Sequence, residues 1–219
     1  MTFRDRKDAG QKLAAQLVQF RNNPNVVVLG LPRGGVPLAA EVARALAAPL
    51  DVFVVRKLGV PQHEELAFGA IASGGVRVLD AAIVEELAIP DTALNAVFER
   101  EMKELQRREL AYRRGTPAAD VKDRIVILVD DGIATGSSMR AAVEALRKLG
   151  PAKIVVAVPV ASPHAIRELS NLAGEVVCLS APEDFTAVGQ WYSDFLSTSD
   201  EEVTAALESA AQRKTTHAN

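Results

Sequence analysis

Six continuous apolar, β-branched runs recur along the chain and alternate with segments of helical periodicity. The runs are NVVVLG (25–30), DVFVVR (51–56), VRVLD (76–80), RIVILVD (124–130), KIVVAVPV (153–160) and EVVCLS (175–180). The helical patterns lie at 36–47, 80–88, 91–114, 137–149 and 163–172. Apolar runs without a polar alternation are typical of strands covered on both faces, as in parallel sheets. The sequence therefore predicts an α/β fold whose mostly parallel central sheet is flanked by helices.

Length, charge and cysteine content limit the domain organisation and the classes of partner. The 219 residues predict a single domain over 1–219. A net charge of −3 provides no basic surface for nucleic acid, so we expect no nucleic-acid partner. The lone cysteine, Cys178, fits a reducing compartment. The charged N-terminus lacks the apolar core of a signal peptide, and no apolar run is long enough to span a membrane, so we expect a cytoplasmic protein without a membrane partner.

Two neighbouring acids, Asp130 and Asp131, follow the apolar run at 125–129, and a loop of small residues follows them. The loop residues are Ala134, Thr135, Gly136, Ser137 and Ser138. Ligands of open α/β sheets bind at the carboxyl ends of the strands. A small-residue loop that opens a helix there can surround a phosphate with backbone N–H groups. The acids would repel a phosphate, but they can accept hydrogen bonds from sugar hydroxyls or orient a hydrated Mg²⁺. This stretch therefore predicts a site for a phosphorylated sugar.

Other phosphate-binding motifs do not fit these residues. A Walker A loop requires a lysine after its last glycine, and here Ser137 follows Gly136. The dinucleotide fingerprint requires G-x-G, which the chain lacks. An ordinary strand-to-helix turn with N-capping serines remains the structural alternative.

The stretch VILVDDGIATGSS (126–138) resembles the 5-phosphoribosyl-1-diphosphate (PRPP) binding motif of type I phosphoribosyltransferases. The resemblance implies the fold of that family, a Rossmann-like core with a small C-terminal hood. It also implies that Asp130 and Asp131 are catalytic residues that face the ribose 2′- and 3′-hydroxyls and hold Mg²⁺ through water or these hydroxyls. Residues 134–138 would bind the 5′-phosphate.

Two further stretches extend the resemblance. GLPRGGVPLAAEVARAL (30–46) is similar to the diphosphate loop of xanthine-guanine-type members, which implies diphosphate binding by Arg33, Gly34 and Gly35 and a strained or cis peptide there. VVRKLG (54–59) is similar to the Val-Arg-Lys of orotate- and adenine-type members. By that match, Arg56 and Lys57 are catalytic cations that neutralise the departing diphosphate. The alternative is that these three basic residues are solvated surface charges.

The C-terminal stretch PEDFTAVGQWYSDF (182–195) resembles the hood of hypoxanthine-guanine-type members. The match implies that Phe185 stacks on a base and that the Thr186 backbone contacts its edge. Trp191 and Tyr192 could equally wall this base pocket or form the core of the hood.

The resemblance and the composition together predict how the domain is divided. The core would cover about 8–180, the hood about 181–199, and a flexible lid 57–75, a stretch that is long and rich in glycine. A C-terminal helix at 200–212 would end in a frayed tail.

The function implied by the resemblance is Mg²⁺-dependent transfer of the phosphoribosyl group from PRPP to a nitrogenous base, with release of diphosphate. A homodimer is expected because similar proteins are commonly dimers. A PRPP-binding or nucleotide-binding regulatory protein of the same fold is the alternative. A PRPP synthase is disfavoured because the chain shows no ATP-binding motif.

The acceptor base does not follow from the sequence. Ala134 stands where hypoxanthine-guanine-type members carry an aspartate, and the strand KIVVAVPVAS lacks their lysine, so a 6-oxopurine is doubtful as the acceptor. The roles of His63, Glu64 and Glu65 also stay open, between solvated surface charges and proton transfer or Mg²⁺ handling.

Overall fold

A computed structural model describes residues 1–61 and 63–216, without the side chains of Glu64, Glu65 and residues 214–216. The strands are β1 (Val26–Gly30), β2 (Leu50–Val52), β3 (Val55–Val60), β4 (His63–Ala72), β5 (Val76–Leu79), β6 (Ile125–Val129), β7 (Lys153–Val160) and β8 (Glu175–Ser180). The helices are α1 (Arg6–Ala15), α2 (Gly35–Leu46), α3 (Ala81–Glu86), α4 (Asp91–Arg113), α5 (Ser137–Lys148), α6 (Pro163–Leu172) and α7 (Asp200–Thr216). Among the described residues, no helix is both long enough and apolar enough to cross a bilayer.

A five-stranded sheet of order β2-β1-β6-β7-β8 forms the centre of the fold, and all of its strand pairs are parallel. Helices α1 and α2 cover one face and α5 and α6 cover the other, so residues of β1, β6 and β7 contribute to an apolar cluster on each side. This two-sided burial explains why the central strands are continuously apolar. The predicted α/β fold with a mostly parallel sheet is confirmed.

The segment 57–75, expected to be a flexible loop, instead forms most of a second sheet, so the assignment as a loop was wrong, while its flexibility stays a prediction. Strands β3, β4 and β5 pair antiparallel in this order, and the run at 76–80 belongs here rather than to the central sheet. Phe68 and Ile71 are buried in a third apolar cluster with residues of α4 and α7. Glycines and charged residues interrupt the apolar pattern elsewhere in this segment, which is why the pattern indicated a loop. Gln62 lies outside the described residues.

The predicted helices are found within a few residues of their expected bounds. The C-terminal helix begins as predicted at Asp200 but continues to Thr216, beyond the predicted end at 212. The last three residues of the expected frayed tail, 217–219, lie outside the described part of the chain. Helix α6 begins with Pro163 after Ser162, whose side chain accepts a hydrogen bond from the N–H of Ala165.

The register of the central sheet brings two loops together at its carboxyl edge. Gly30 of β1 is paired with Val129 of β6. Just beyond the strand, the N–H of Leu31 donates to the Val129 carbonyl at 2.9 Å. The segments 31–35 and 130–136 therefore lie side by side where parallel sheets bind their ligands.

A buried ion pair joins the end of α4 to strand β2. The Arg113 guanidinium donates to both carboxylate oxygens of Asp51, at 2.9 and 3.2 Å, and to the carbonyl of Val52 at 3.0 Å. Asp51 also accepts from the backbone N–H groups of Val52 and Ala119. Each charge is thus paired and hydrogen-bonded, which makes its burial tolerable.

We predict that Asp51→Ala lowers the free energy of unfolding by about 3 kcal/mol, because it leaves the Arg113 charge buried with fewer acceptors. Urea unfolding of the full chain measures this loss. The exposed Glu99 of α4 provides the control, and Glu99→Ala should change the stability by less than about 0.5 kcal/mol. Equal losses in the two variants would contradict the assignment of the ion pair as a structural tie.

Candidate functional site

The acid pair lies directly beyond β6, against the loop that follows β1. An ideal Cβ placed on Gly34 would lie 2.0 Å from Oδ2 of Asp131, and one on Gly35 would lie 2.6 Å from the Val129 carbonyl and 2.8 Å from Cα of Asp130. A Cβ on Gly35 would meet backbone atoms, so that position requires glycine, whereas a Cβ on Gly34 would require the Asp131 carboxylate to move. The predicted diphosphate residues and the predicted ribose residues are therefore in contact.

The loop between β1 and α2 has the backbone that the resemblance implied. The peptide bond between Pro32 and Arg33 is cis, and α2 begins two residues later at Gly35. The Arg33 side chain is exposed. The loop thus offers backbone groups and one cation at the edge where Asp130 and Asp131 lie.

The small-residue loop leads into the first turn of α5. Gly136 has a φ of +79°, a conformation that glycine adopts without strain, and no side chain caps the helix there. The contacts of Thr135 with Ser137 are long, 3.3 Å between the hydroxyls and 3.5 Å from the Ser137 N–H. The alternative of serine N-caps is therefore not what the structure has. The first-turn N–H groups and the positive end of the helix dipole are directed toward this loop, as an anion site there requires.

Burial makes the ionised form of the acid pair costly. Burial, and after it the neighbouring Asp131 carboxylate, raises the pKa of Asp130 above its ordinary value. Burial also raises the pKa of Asp131, and the guanidinium of Arg6 opposes this increase. A ligand that donates hydrogen bonds or brings positive charge would favour the ionised carboxylates.

The sequence analysis missed Arg6, which contacts the acid pair from the start of α1. Its Nε and Nη2 lie 2.9 and 2.8 Å from Oδ2 of Asp131. Arg6 stands in a charged N-terminal stretch, 125 residues from its partner. No local pattern distinguishes it from the basic residues beside it, so only the folded chain identifies the pair.

The two cations of the Val-Arg-Lys stretch have different surroundings. Arg56 donates through Nε and Nη2 to Oε2 of the buried Glu101 in α4, at 2.9 and 2.6 Å. Lys57 is exposed and lines a cavity of about 380 Å³, which it shares with Ser137 and Arg140 of α5. Only Lys57 of this pair thus faces the helix that the phosphate loop opens.

The hood residues expected to bind a base also differ from one another in their burial. Tyr192 is 6% exposed, packs on the rings of Phe3 and Phe195, and donates its hydroxyl to the Asp131 carbonyl at 2.5 Å, so it is a core residue of the hood. Phe185 and Trp191 are half-buried and pack against the same apolar cluster. The backbone N–H of Thr186 donates to the side chain of Gln190 at 3.2 Å.

The structure gives no group of acids and histidines that could bind a metal by itself. Among residues 1–61 and 63–216, no three His, Cys, Asp or Glu side chains are placed to do so. His63 is exposed, and the side chains of Glu64 and Glu65 lie outside the described residues. Among the described side chains, Asp130 and Asp131 could therefore provide at most part of the ligand set of a metal ion.

A family model described as the phosphoribosyl transferase domain matches residues 3–195 of this chain. This range includes Arg6, the acid pair, both predicted phosphate loops and nearly all of the hood.

Individual relatives agree with the family model. A Mycobacterium tuberculosis protein provisionally named a phosphoribosyl transferase is 50% identical over 208 residues, which are 95% of this chain and 47% of that protein. The chain therefore spans about half the length of this relative. A Deinococcus radiodurans protein named "Bifunctional protein PyrR" is 31% identical over 145 residues, which are 63% of this chain and 76% of that protein. The solved structure of TT1426 from Thermus thermophilus is 48% identical with a TM-score of 0.84, covering 94% of this chain and 98% of its own.

We predict that Gly34→Ala destabilises the protein by about 1–3 kcal/mol, because the added Cβ must displace the Asp131 carboxylate or the loop. Urea unfolding measures the loss. The control is the same substitution in an Asp131→Ala background, where the carboxylate atoms that it would meet are absent. In that background, Gly34→Ala should lower the free energy of unfolding by only a small fraction of the loss seen with Asp131 present. An equal loss in both backgrounds would contradict the assigned contact.

Proposed function

This chain belongs to the phosphoribosyl transferase domain family, and on that premise we propose that it transfers the 5-phosphoribosyl group of PRPP to a nitrogenous base. The observation that carries the proposal is the contact of Gly34 and Gly35 with the acid pair, next to an uncapped helix start. PRPP carries a phosphate at C5 and a diphosphate at C1 of one ribose. A sugar site between two backbone anion sites matches that chemistry.

We propose that the 5′-phosphate binds at residues 134–138. Backbone N–H groups at the start of α5 would donate to the phosphate oxygens, and the hydroxyls of Thr135, Ser137 and Ser138 would add donors. The ribose would then lie over the carboxyl end of β6, where Asp130 and Asp131 accept hydrogen bonds from its 2′- and 3′-hydroxyls.

The diphosphate of PRPP would lie along the loop of Arg33, Gly34 and Gly35. Glycine allows backbone N–H groups to approach the leaving oxygens closely, and Arg33 adds charge at the open side. A base nitrogen would attack C1 of the ribose and form the new bond with inversion as the bond to diphosphate breaks. Catalysis would come from stabilising the charge that grows on the diphosphate and from excluding water.

The acid pair also fits Mg²⁺ as the cofactor of this reaction. Two neighbouring carboxylates provide the hard oxygen ligands that Mg²⁺ prefers, directly or through water. The lack of a third acidic or histidine ligand among the described side chains fits an ion that retains water and substrate oxygens. When bound, Mg²⁺ would supply positive charge to the diphosphate. The homodimer and the cytoplasmic location stay predictions.

A regulatory protein that binds PRPP or a nucleotide without turnover is the second candidate. It is favoured by one observation, the engagement of Arg56 with Glu101, since the diphosphate role predicted for Arg56 would require this ion pair to open. The two candidates differ in one measurement. Diphosphate release from PRPP and Mg²⁺ across a panel of purine, pyrimidine and pyridine bases supports the transferase, and PRPP binding without release on any base supports the regulator.

We predict that Asp130→Asn combined with Asp131→Asn lowers kcat/KM at least about 100-fold for any base that is turned over, because the ribose hydroxyls and the hydrated cation lose their anionic acceptors. Diphosphate release measures the loss, and thermal unfolding verifies that the variant folds. The matched control is Asp120→Asn combined with Asp123→Asn, two exposed acids before β6 that should leave turnover unchanged. A folded acid-pair variant with normal turnover would refute the proposed site.

For Lys57→Ala we predict a loss of about tenfold or more in kcat with little change in thermal stability, because the ammonium is exposed and would act on charge that develops on the diphosphate. Steady-state diphosphate release with saturating PRPP measures kcat. Lys103→Ala, at an exposed site on α4, serves as the control. A kcat equal to that of the control would remove Lys57 from the catalytic residues.

A further inference from the structure

Arg6 is held against the acid pair by more than charge. Its side chain is only 13% exposed, and both Nε and Nη2 contact the same oxygen of Asp131, Oδ2. The third contact is made by Nη1, which donates to the carbonyl of Leu196 at 2.5 Å. The guanidinium carbon also lies 4.0 Å from the centre of the Phe195 ring. The hood therefore fixes the plane of this guanidinium independently of the carboxylate.

The side chain of Arg4, in the same segment, differs from that of Arg6 in its exposure and in its contacts. Its side chain is 72% exposed and pairs with the adjacent Asp5 at 3.1 Å, a contact of the surface type that contributes little to stability. Of these two arginine side chains, only that of Arg6 contacts Asp131 and the hood.

The bonds from Arg6 determine which oxygen of Asp131 is left for a ligand. Oδ2 receives both N–H groups and is also the atom nearest to the space above Gly34. In the described part of the chain, the hydrogen bonds that the Asp131 carboxylate accepts from another residue all go to Oδ2, so no other residue occupies Oδ1. A carboxylate with one oxygen fixed and the other unpaired can accept a hydrogen bond with little loss of side-chain entropy on binding.

We propose that Arg6 is a positioning residue that fixes Oδ2 of Asp131 so that Oδ1 accepts a hydrogen bond from a ribose hydroxyl of PRPP. This inference rests on the proposed function, because it requires that Asp131 binds the ribose. The opposite role, in which Arg6 occupies the place of the ribose and must leave, conflicts with the ring and carbonyl contacts that hold it.

A double-mutant cycle on the full chain tests the proposal, with PRPP and Mg²⁺ as the probe and calorimetry as the readout. Arg6→Ala should raise the Kd about tenfold, the effect expected for a lost charge-assisted hydrogen bond. The same substitution in an Asp131→Asn background should have almost no further effect, because the group through which Arg6 acts is already impaired. In steady state the KM for PRPP should rise while kcat changes little.

Arg6→Lys should restore part of the affinity, because an ammonium can reach Asp131 but cannot reproduce the planar contact with Phe195 and Leu196. If thermal unfolding shows that Arg6→Ala does not fold, Arg6→Lys replaces it in the double-mutant cycle. Arg4→Ala is the matched control and should leave PRPP binding unchanged.

The outcomes separate this inference from the proposed function. If Asp131→Asn weakens PRPP binding while Arg6→Ala does not, or if the two effects add, Arg6 does not act through Asp131 and the inference alone is overturned. Tighter binding by Arg6→Ala would show that Arg6 competes with the ligand, and it would overturn the inference too. Unchanged affinity in Asp131→Asn would contradict the ribose role itself and with it the proposed function.

Discussion

The contact between two loops at the carboxyl edge of the central sheet is the constraint on which the site depends. Strands β1 and β6 are neighbours in parallel register, so the loops that leave them begin side by side. The distance between those loops is so short that a Cβ on Gly35 would meet the backbone of the second loop and a Cβ on Gly34 would meet the Asp131 carboxylate. Because protein interiors transmit small displacements rather than absorb them, the position of the first loop determines where the Asp131 carboxylate can lie.

The hood and the N-terminal segment act on the same carboxylate from the opposite side. Backbone hydrogen bonds join them, from Phe3 to Trp191 at 2.7 Å and from Ser193 back to Phe3 at 2.8 Å. Tyr192 then holds the carbonyl of Asp131, while Arg6 holds its side chain. The hood is therefore joined to Asp131, the residue proposed to bind the ribose, and a movement of the hood would alter the surroundings of this residue.

The sequence was sufficient for those features that depend on neighbouring residues. Strands that are buried on both faces have continuously apolar sequences, so they can be recognised from the sequence. The acid pair, the glycines and the small-residue loop each lie within a few residues of the strand that positions them. The antiparallel sheet was missed because glycine and charged residues break its apolar pattern at 57–75, and its anchors Phe68 and Ile71 are buried by α4 and α7, which come later in the chain. Arg6 was also missed because its contact is distant in sequence, since its partner Asp131 is 125 residues away.

The two adjacent cations at the start of β3 show how a strand separates residues that a motif groups together. Successive side chains of a strand point to opposite faces. Arg56 accordingly points to α4, where Glu101 binds it, and Lys57 points to the cavity beside α5. Lys57 forms no ion pair with any described side chain, so it could act on a ligand without breaking one. Arg56 would first have to give up its contacts with Oε2 of the buried Glu101, which would then keep only Arg100 as an ion-pair partner among the described residues. The alternation of one strand thus gives the neighbours different surroundings, with Arg56 tying the second sheet to α4 and Lys57 lining the cavity beside α5.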